Sequence, residues 1–142
     1  MWADTLLAAE RAHLLRLAVW GAASLLVGTA LVAMLGIGRP RSSLIKHFGV
    51  QTAAWGAVDL AIALLSLRSL TLRDLSGATR LDRVLWMNIG LDVGYALVGA
   101  TLVIVGWRVV RRLGLVGAGI AVVLQGAALA VLDLMLAGQI SR

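Results

Sequence analysis

Four long apolar blocks, separated by short polar segments, make up most of this chain. The blocks are Leu17–Ile37, Phe48–Leu67, Val84–Trp107 and Leu113–Gly138. A helix needs about 20 mostly apolar residues to cross a bilayer core of about 30 Å, and each block meets that length. The pattern therefore predicts an all-α fold, a four-transmembrane-helix bundle that forms a single integral membrane domain over residues 1–142. Residues 1–16 also have a helical pattern, and we expect them to extend the first span as an uncleaved amphipathic segment.

Three aspartates, Asp59, Asp92 and Asp133, lie inside these apolar blocks. An aspartate at the bilayer centre is unfavourable by roughly 2.5–3.5 kcal/mol on insertion scales, so such residues pair, become hydrated or have a function. At 1.5 Å per residue, Asp59 and Asp92 lie roughly 12 Å from the membrane face that bears the 68–83 loop, and Asp133 lies somewhat nearer. We therefore expect one intramembrane polar layer, which comprises Asp59, Asn88, Asp92, Tyr95, Gln125 and Asp133.

Two interpretations of this polar layer remain open. In the first, the aspartates are structural: they are neutral, or they pair with a polar or basic side chain and fasten the helices together. Arg16, Arg68 and Arg83 are the candidate ion-pair partners, because long basic side chains can extend along an apolar surface. In the second, the carboxylates bind a proton, a cation or a cationic solute in a water-lined cavity.

The two interpretations predict different functions. A functional layer predicts a small transport or channel-like protein. A structural layer predicts an accessory or scaffolding subunit of a larger membrane complex. Four helices alone enclose little volume, so we expect either a homo-oligomer or a subunit of a membrane complex.

Small residues share helix faces with these polar side chains. Interhelical surfaces in lipid are rich in glycine and other small residues, because these allow two backbones to approach closely. The pattern therefore predicts helix packing at Gly56, Gly90, Gly94 and Gly126, and Gly21, Ser24 and Gly28 mark a similar face on the first helix.

The chain also contains an internal similarity. The segment 51–60, Gln-Thr-Ala-Ala-Trp-Gly-Ala-Val-Asp-Leu, aligns with the segment 125–134 and is identical to it at five of ten positions. This similarity predicts two related helical hairpins in a parallel repeat, with Asp59 and Asp133 as symmetry mates.

Composition narrows the function classes. The chain is 61% hydrophobic, has a mean hydropathy of +0.95 and carries a net charge of +6. The basic residues lie in short loops and termini, where the lipid bilayer is the expected partner, and we expect no nucleic-acid binding. There is no cysteine, and no sequence motif for phosphate binding, nucleophilic catalysis or zinc hydrolysis. We therefore expect no enzyme activity, no cofactor and no metal site, and we interpret His13 and His47 as headgroup or loop contacts.

The abundance of Arg, Ala, Leu and Gly is typical of a bacterial protein, which predicts a multi-pass protein of the bacterial inner (cytoplasmic) membrane. Lysine and arginine are nearly balanced, with seven on the face that bears both termini and six on the other. Cytoplasmic loops of membrane proteins are usually enriched in lysine and arginine, so this near-balance gives little information about which face is cytoplasmic. The face with six has no acidic residue, and we expect the termini in the cytoplasm.

Two segments carry a resemblance to a family. They are Asn88-Ile-Gly-Leu-Asp-Val-Gly-Tyr95 and Gln125-Gly-x-x-Leu-x-x-x-Asp133. Both resemble a family of uncharacterised bacterial four-helix integral membrane proteins. The resemblance implies that Asn88, Asp92, Gln125 and Asp133 belong to a shared pattern, and it implies no catalytic role.

Overall fold

The chain forms four long helices in the computed structural model, which describes residues 2–36 and 42–140. They are α1 (Trp2–Gly36), α2 (Ser43–Arg68), α3 (Leu75–Ile104) and α4 (Leu113–Ile140), and a short π-helical segment, Val105–Val109, follows α3. All four helices are long and apolar enough to cross a membrane. The all-α, four-helix prediction is therefore confirmed.

Helix α1 is continuous from Trp2, so the expected helical extension before Leu17 is confirmed. The end of the first predicted span, Ile37, lies outside the described residues. Helix α2 begins at Ser43 rather than at Phe48, because the Ser42 side chain caps it by accepting a hydrogen bond from the backbone N–H of Ile45.

The predicted loop at 68–83 is wrong over its second half, because α3 begins at Leu75. Asp74 caps this helix: its Oδ1 accepts hydrogen bonds from the backbone N–H of Gly77 at 2.7 Å and from Ser76 Oγ at 2.9 Å. A carboxylate at this position satisfies an N–H that has no partner within the helix. The polar residues that follow therefore form helical turns, which hydropathy alone does not distinguish from a loop.

The cap of α3 has a testable pH dependence. The hydrogen bond from Gly77 lowers the pKa of the Asp74 carboxyl below its ordinary value of 3.8. A lowered folded-state pKa means that the cap stabilises the fold above the unfolded-state pKa and is lost as the pH falls through the folded-state pKa. We therefore expect Asp74→Ala to lower the midpoint of thermal unfolding at pH 7, with a difference from wild type that shrinks below pH 3.8. Scanning fluorimetry measures this, and a pH-independent difference would contradict it.

Helices α1 and α2 form one antiparallel hairpin, and α3 and α4 form the other. Helix α4 packs against α2 and, over a shorter stretch, against α1. Among the described residues, no Cα atom of α2 lies within 8 Å of a Cα atom of α3. These two helices are therefore separated by a cleft. We call the end of the bundle at the α2–α3 loop side A and the opposite end side B.

The predicted packing glycines divide into two groups. A Cβ atom built on Gly56 would lie 2.7 Å from the carbonyl oxygen of Gly21, and one built on Gly126 would lie 2.9 Å from the backbone nitrogen of Ala96. By contrast, no atom lies within 4 Å of a Cβ built on Gly90 or Gly94. The prediction that Gly90 and Gly94 pack helices is therefore wrong within one chain, because they lie on a face of α3 that no other helix of the chain covers.

Candidate functional site

A cavity of about 410 Å³ fills the space between α2 and α3 on side A. Helices α1 and α4 also contribute to its wall, so all four helices meet at it. We call it the acidic cleft, because the ionisable and amide side chains that line it are Glu10, His13, Asp59, Arg73, Asn88, Asp92 and Asp133.

An ion pair between Glu10 and Arg73 lies in the side-A part of the acidic cleft. Arg73 lies in the α2–α3 loop and donates to both carboxylate oxygens of Glu10, with its Nε at 2.9 and 2.8 Å and its Nη2 at 2.8 Å from Oε1. The Glu10 carboxylate is buried, and its hydrogen bonds raise the pKa of the Arg73 guanidinium above its usual value. The two charges therefore cancel, and the loop is fastened to α1.

His13 and Asp133 form a second pair deeper in the cleft. His13 Nε2 lies 3.4 Å from Asp133 Oδ1, and His13 Nδ1 lies 3.3 Å from the carbonyl oxygen of Leu132. A neutral imidazole carries only one N–H, so hydrogen bonds to both acceptors need a second proton, on the imidazole or on the carboxyl group. Either arrangement leaves the pair with no net charge.

Asp59 is held by a hydrogen-bonded chain that joins three helices. The Nε2 of Gln125 donates to Asp59 Oδ2, and Trp20 Nε1 donates to Gln125 Oε1 at 3.1 Å. Gln125 is buried and is not among the residues that line the acidic cleft. These hydrogen bonds connect α1, α4 and α2, so Asp59 has a structural contact in addition to its place on the cleft wall.

Asp92 is the exception among the three aspartates. It is only 6% exposed, and its Oδ2 atom is buried without a hydrogen-bond partner among the described residues. Asn88 and Tyr95, one turn before and after it on α3, line the same cleft. Asp92 also lies close enough to Asp59 and Asp133 for electrostatic interaction with both. Within the part of the chain that the structure describes, the Asp92 carboxylate therefore has a buried oxygen that accepts no hydrogen bond.

The expected polar layer stays a prediction, and its residues lie at more than one depth. Gln125 is level with Asp59, because the two side chains are bonded, and Asp133 lies eight residues further along α4. Eight residues correspond to about 12 Å along a helix. The polar groups therefore form a column that runs inward from side A. Asp59 and Asp133 have different partners, and the parallel repeat stays a prediction.

The expected arginine partners of the aspartates are wrong. Among the described residues, Arg16, Arg68 and Arg83 make no ion pair within 4.0 Å. Arg16 lies near His13, and its Nη1 atom is buried without a hydrogen-bond partner. Arg73 forms an ion pair with Glu10 instead, because the α2–α3 loop folds back over the end of α1.

Sequence reasoning missed the roles of Glu10 and His13, because it assigns no role to Glu10 and predicts a headgroup or loop contact for His13. Both belong to one buried face of α1 with spacings of three and four residues, which comprises Leu6, Glu10, His13, Leu17, Gly21, Ser24 and Gly28. The small residues of this face were recognised only from Gly21 onward. Extending the same spacing toward the N-terminus would have placed both ionisable residues inside the bundle.

Comparisons with known proteins give one match. No curated protein and no solved structure matches the chain. A family model does match, over residues 16–134, which includes Asp59, Asp92 and Asp133 but neither Glu10 nor His13. Its description names no membrane function and no motif, so the shared pattern from Asn88 to Asp133 stays a prediction. The matched range covers most of α1 and nearly all of the rest of the bundle, and the chain therefore belongs to a family of unknown function, DUF6992.

Proposed function

We propose that this protein binds a cation in the acidic cleft and takes part in moving it across the membrane. The observation that carries the proposal is the buried carboxylate of Asp92, which lines a cavity and has an oxygen without a hydrogen-bond partner. Most buried polar groups in proteins are hydrogen-bonded, and an unpaired one needs an explanation such as an ion or a ligand. Ionisable residues inside membrane spans commonly mark the pathway of an ion or a substrate.

The charges around the cleft support a positive ligand. Glu10 is balanced by Arg73, and Asp133 is balanced by His13. Asp59 and Asp92 remain, and only Asp59 accepts a hydrogen bond from a neighbouring side chain. Two carboxylates in an interior of low dielectric repel each other strongly when both are ionised. A cation beside Asp92 would remove that repulsion and give the carboxylate its missing partner.

Close packing closes the side-B half of the bundle, and this closure supports a transport role. Cβ atoms built on Gly99 and Gly119 would lie 2.7 and 2.6 Å from the facing carbonyl oxygens of α4 and α3. A Cβ built on Gly117 would likewise clash with the backbone of Leu44. The cleft therefore ends inside the bundle, at the ring contact of Trp55 with Tyr95. A site that is closed toward one side of the membrane is a state that alternating access requires.

The decisive variant is Asp92→Asn, which keeps the shape of the side chain and removes its charge. In proteoliposomes on a solid-supported membrane, we expect concentration jumps of sodium, protons or tetramethylammonium to give a transient current with at least one of these cations. Asp92→Asn is expected to reduce that current at least about tenfold. The loss of a charge contact of about 1.4 kcal/mol weakens the binding of the cation by a factor of ten. Asp74→Asn is the matched control, since it removes an exposed carboxylate outside the cleft and keeps a capping side chain.

Asp92→Asn should fold normally, because its Oδ2 atom makes no hydrogen bond within the described chain. Circular dichroism and size-exclusion chromatography check this. Asp133→Asn is less informative, because it also breaks the contact with His13. No current with any of the three cations, or equal currents in wild type and Asp92→Asn, would contradict the proposal.

A second candidate function is that of an accessory subunit in a larger membrane complex or homo-oligomer. The observation that favours it is the outer face of α3, where Gly90 and Gly94 have open space beside exposed Met87 and Val93. Small residues on a lipid-facing helix allow a second helix to approach closely. A folded protein that gives no current, and that native mass spectrometry finds bound to another membrane protein, would favour this function.

A further inference from the structure

We infer that the ligand of the acidic cleft is an organic cation with apolar groups, which enters sideways from the bilayer between α2 and α3 and places its charge against Asp92. This inference rests on the cation-binding function proposed above and specifies its ligand class and its route. Four features of the cleft carry it: its lateral opening, its size, the spacing of its carboxylates and its aromatic end.

The cleft opens toward the lipid along the gap between α2 and α3. Its rim on α2 is formed by Val58 and Ile62, which are 45% and 50% exposed, and its rim on α3 includes Leu91, which is 51% exposed. These side chains line the cavity and also face outward. Among the described residues, no Cα atom of α2 lies within 8 Å of a Cα atom of α3, so a gap separates the two backbones. An apolar rim around an acidic floor gives lipid-dissolved molecules direct access to the buried carboxylates.

The size of the cleft favours an organic molecule over a metal ion. Its volume of about 410 Å³ lies within the range of about 300–1,000 Å³ that is typical of small-molecule sites. The carboxylates are spread along the cleft rather than directed at one point. Among the residues that the structure describes, no group of three or more His, Asp or Glu side chains could hold a metal ion together. A larger cation with one charge suits this arrangement, because it needs only one unpaired carboxylate.

The inner end of the cleft suits the charged part of such a molecule. The rings of Trp55 and Tyr95 meet there, with centroids 5.5 Å apart and planes at 59°. Trp55 lies one turn from Asp59, and Tyr95 lies one turn from Asp92. The negative face of an aromatic ring attracts a nearby cation, and this attraction is stronger when water is excluded. The two rings and the Asp92 carboxylate therefore lie at the inner end of the cleft, while the aliphatic rims surround the rest of the ligand.

The test uses tritiated tetraphenylphosphonium as the probe, with the protein in phosphatidylcholine nanodiscs and empty nanodiscs as the background. We expect saturable binding by the wild-type protein and at least about tenfold weaker binding by Asp92→Asn. Leu91→Trp fills the rim and should weaken binding to a similar extent. Leu97→Trp is its matched control, because Leu97 lies on the same helix, is 65% exposed and does not line the cleft. It should bind like wild type.

The outcomes separate this inference from the proposed function. Currents from sodium or protons without tetraphenylphosphonium binding would overturn the ligand class and leave the proposed function in place. The absence of both would overturn both. Binding that Asp92→Asn does not weaken would overturn the site, and binding that Leu91→Trp and Leu97→Trp affect equally would overturn the lateral route.

Discussion

Gly56→Ala is expected to destabilise the bundle by about 1–3 kcal/mol, which is typical of an over-packed interior, whereas Gly90→Ala is expected to be neutral or slightly stabilising. The new Cβ at position 56 would lie against the backbone nitrogen of Leu25 and 2.7 Å from the carbonyl oxygen of Gly21. These are backbone atoms of α1, which cannot move aside as the end of a flexible side chain can. Helices α1 and α2 must therefore separate along their contact.

The comparison with Gly90 isolates packing from helix propensity. Both changes replace glycine by alanine inside a long helix, so both gain about 1 kcal/mol of intrinsic propensity. Only position 56 meets a neighbouring helix, because no atom of another helix lies within 4 Å of a Cβ built at position 90. The measurement is the folded fraction in detergent against the mole fraction of sodium dodecyl sulfate. Equal midpoints for the two variants would contradict the assignment of Gly56 to the α1–α2 contact.

These two glycines also show what the sequence can predict about the fold. Length and hydropathy suffice for four apolar helices, because crossing a bilayer sets both requirements. Small-residue spacing indicates which faces allow close approach, but a glycine on either face of α3 satisfies that rule equally. Gly99 meets a neighbouring helix and Gly90 does not, and that difference depends on which face of α3 packs against α4.

For the candidate site, the sequence likewise predicts the residues but not their separate roles. Asp59, Asp92 and Asp133 are recognisable because carboxylates are rare in apolar spans. Their different roles are not, because these depend on partners from other helices: Gln125 for Asp59 and His13 for Asp133. Nothing in the sequence around Asp92 marks it as the carboxylate with an unpaired oxygen. Arg73 was missed for the same reason, since its partner Glu10 lies 63 residues away in the chain.

Gln125→Leu is the second variant with a large expected effect, and it tests whether Asp59 fastens the bundle. It removes the donor to Asp59, which is buried, and the acceptor of Trp20 Nε1, which is partly buried. Each unpaired buried polar group is unfavourable by about 1–3 kcal/mol, so we expect a loss of about 2 kcal/mol or more in the free energy of unfolding. Gln51→Leu is the matched control, because Gln51 aligns with Gln125 in the internal similarity and is only partly buried. It should change stability little.

The double variant Asp59→Leu/Gln125→Leu separates fastening from ligand binding. Replacing both members of a buried polar pair by apolar groups is often nearly neutral, so we expect the double variant to be more stable than Gln125→Leu alone. Since Asp92 is retained, the double variant should also keep the cation-induced current in proteoliposomes. A folded double variant without current would contradict this division of roles, because it would make Asp59 part of the cation site. A double variant less stable than Gln125→Leu would mean that Asp59 has further structural contacts besides the amide of Gln125.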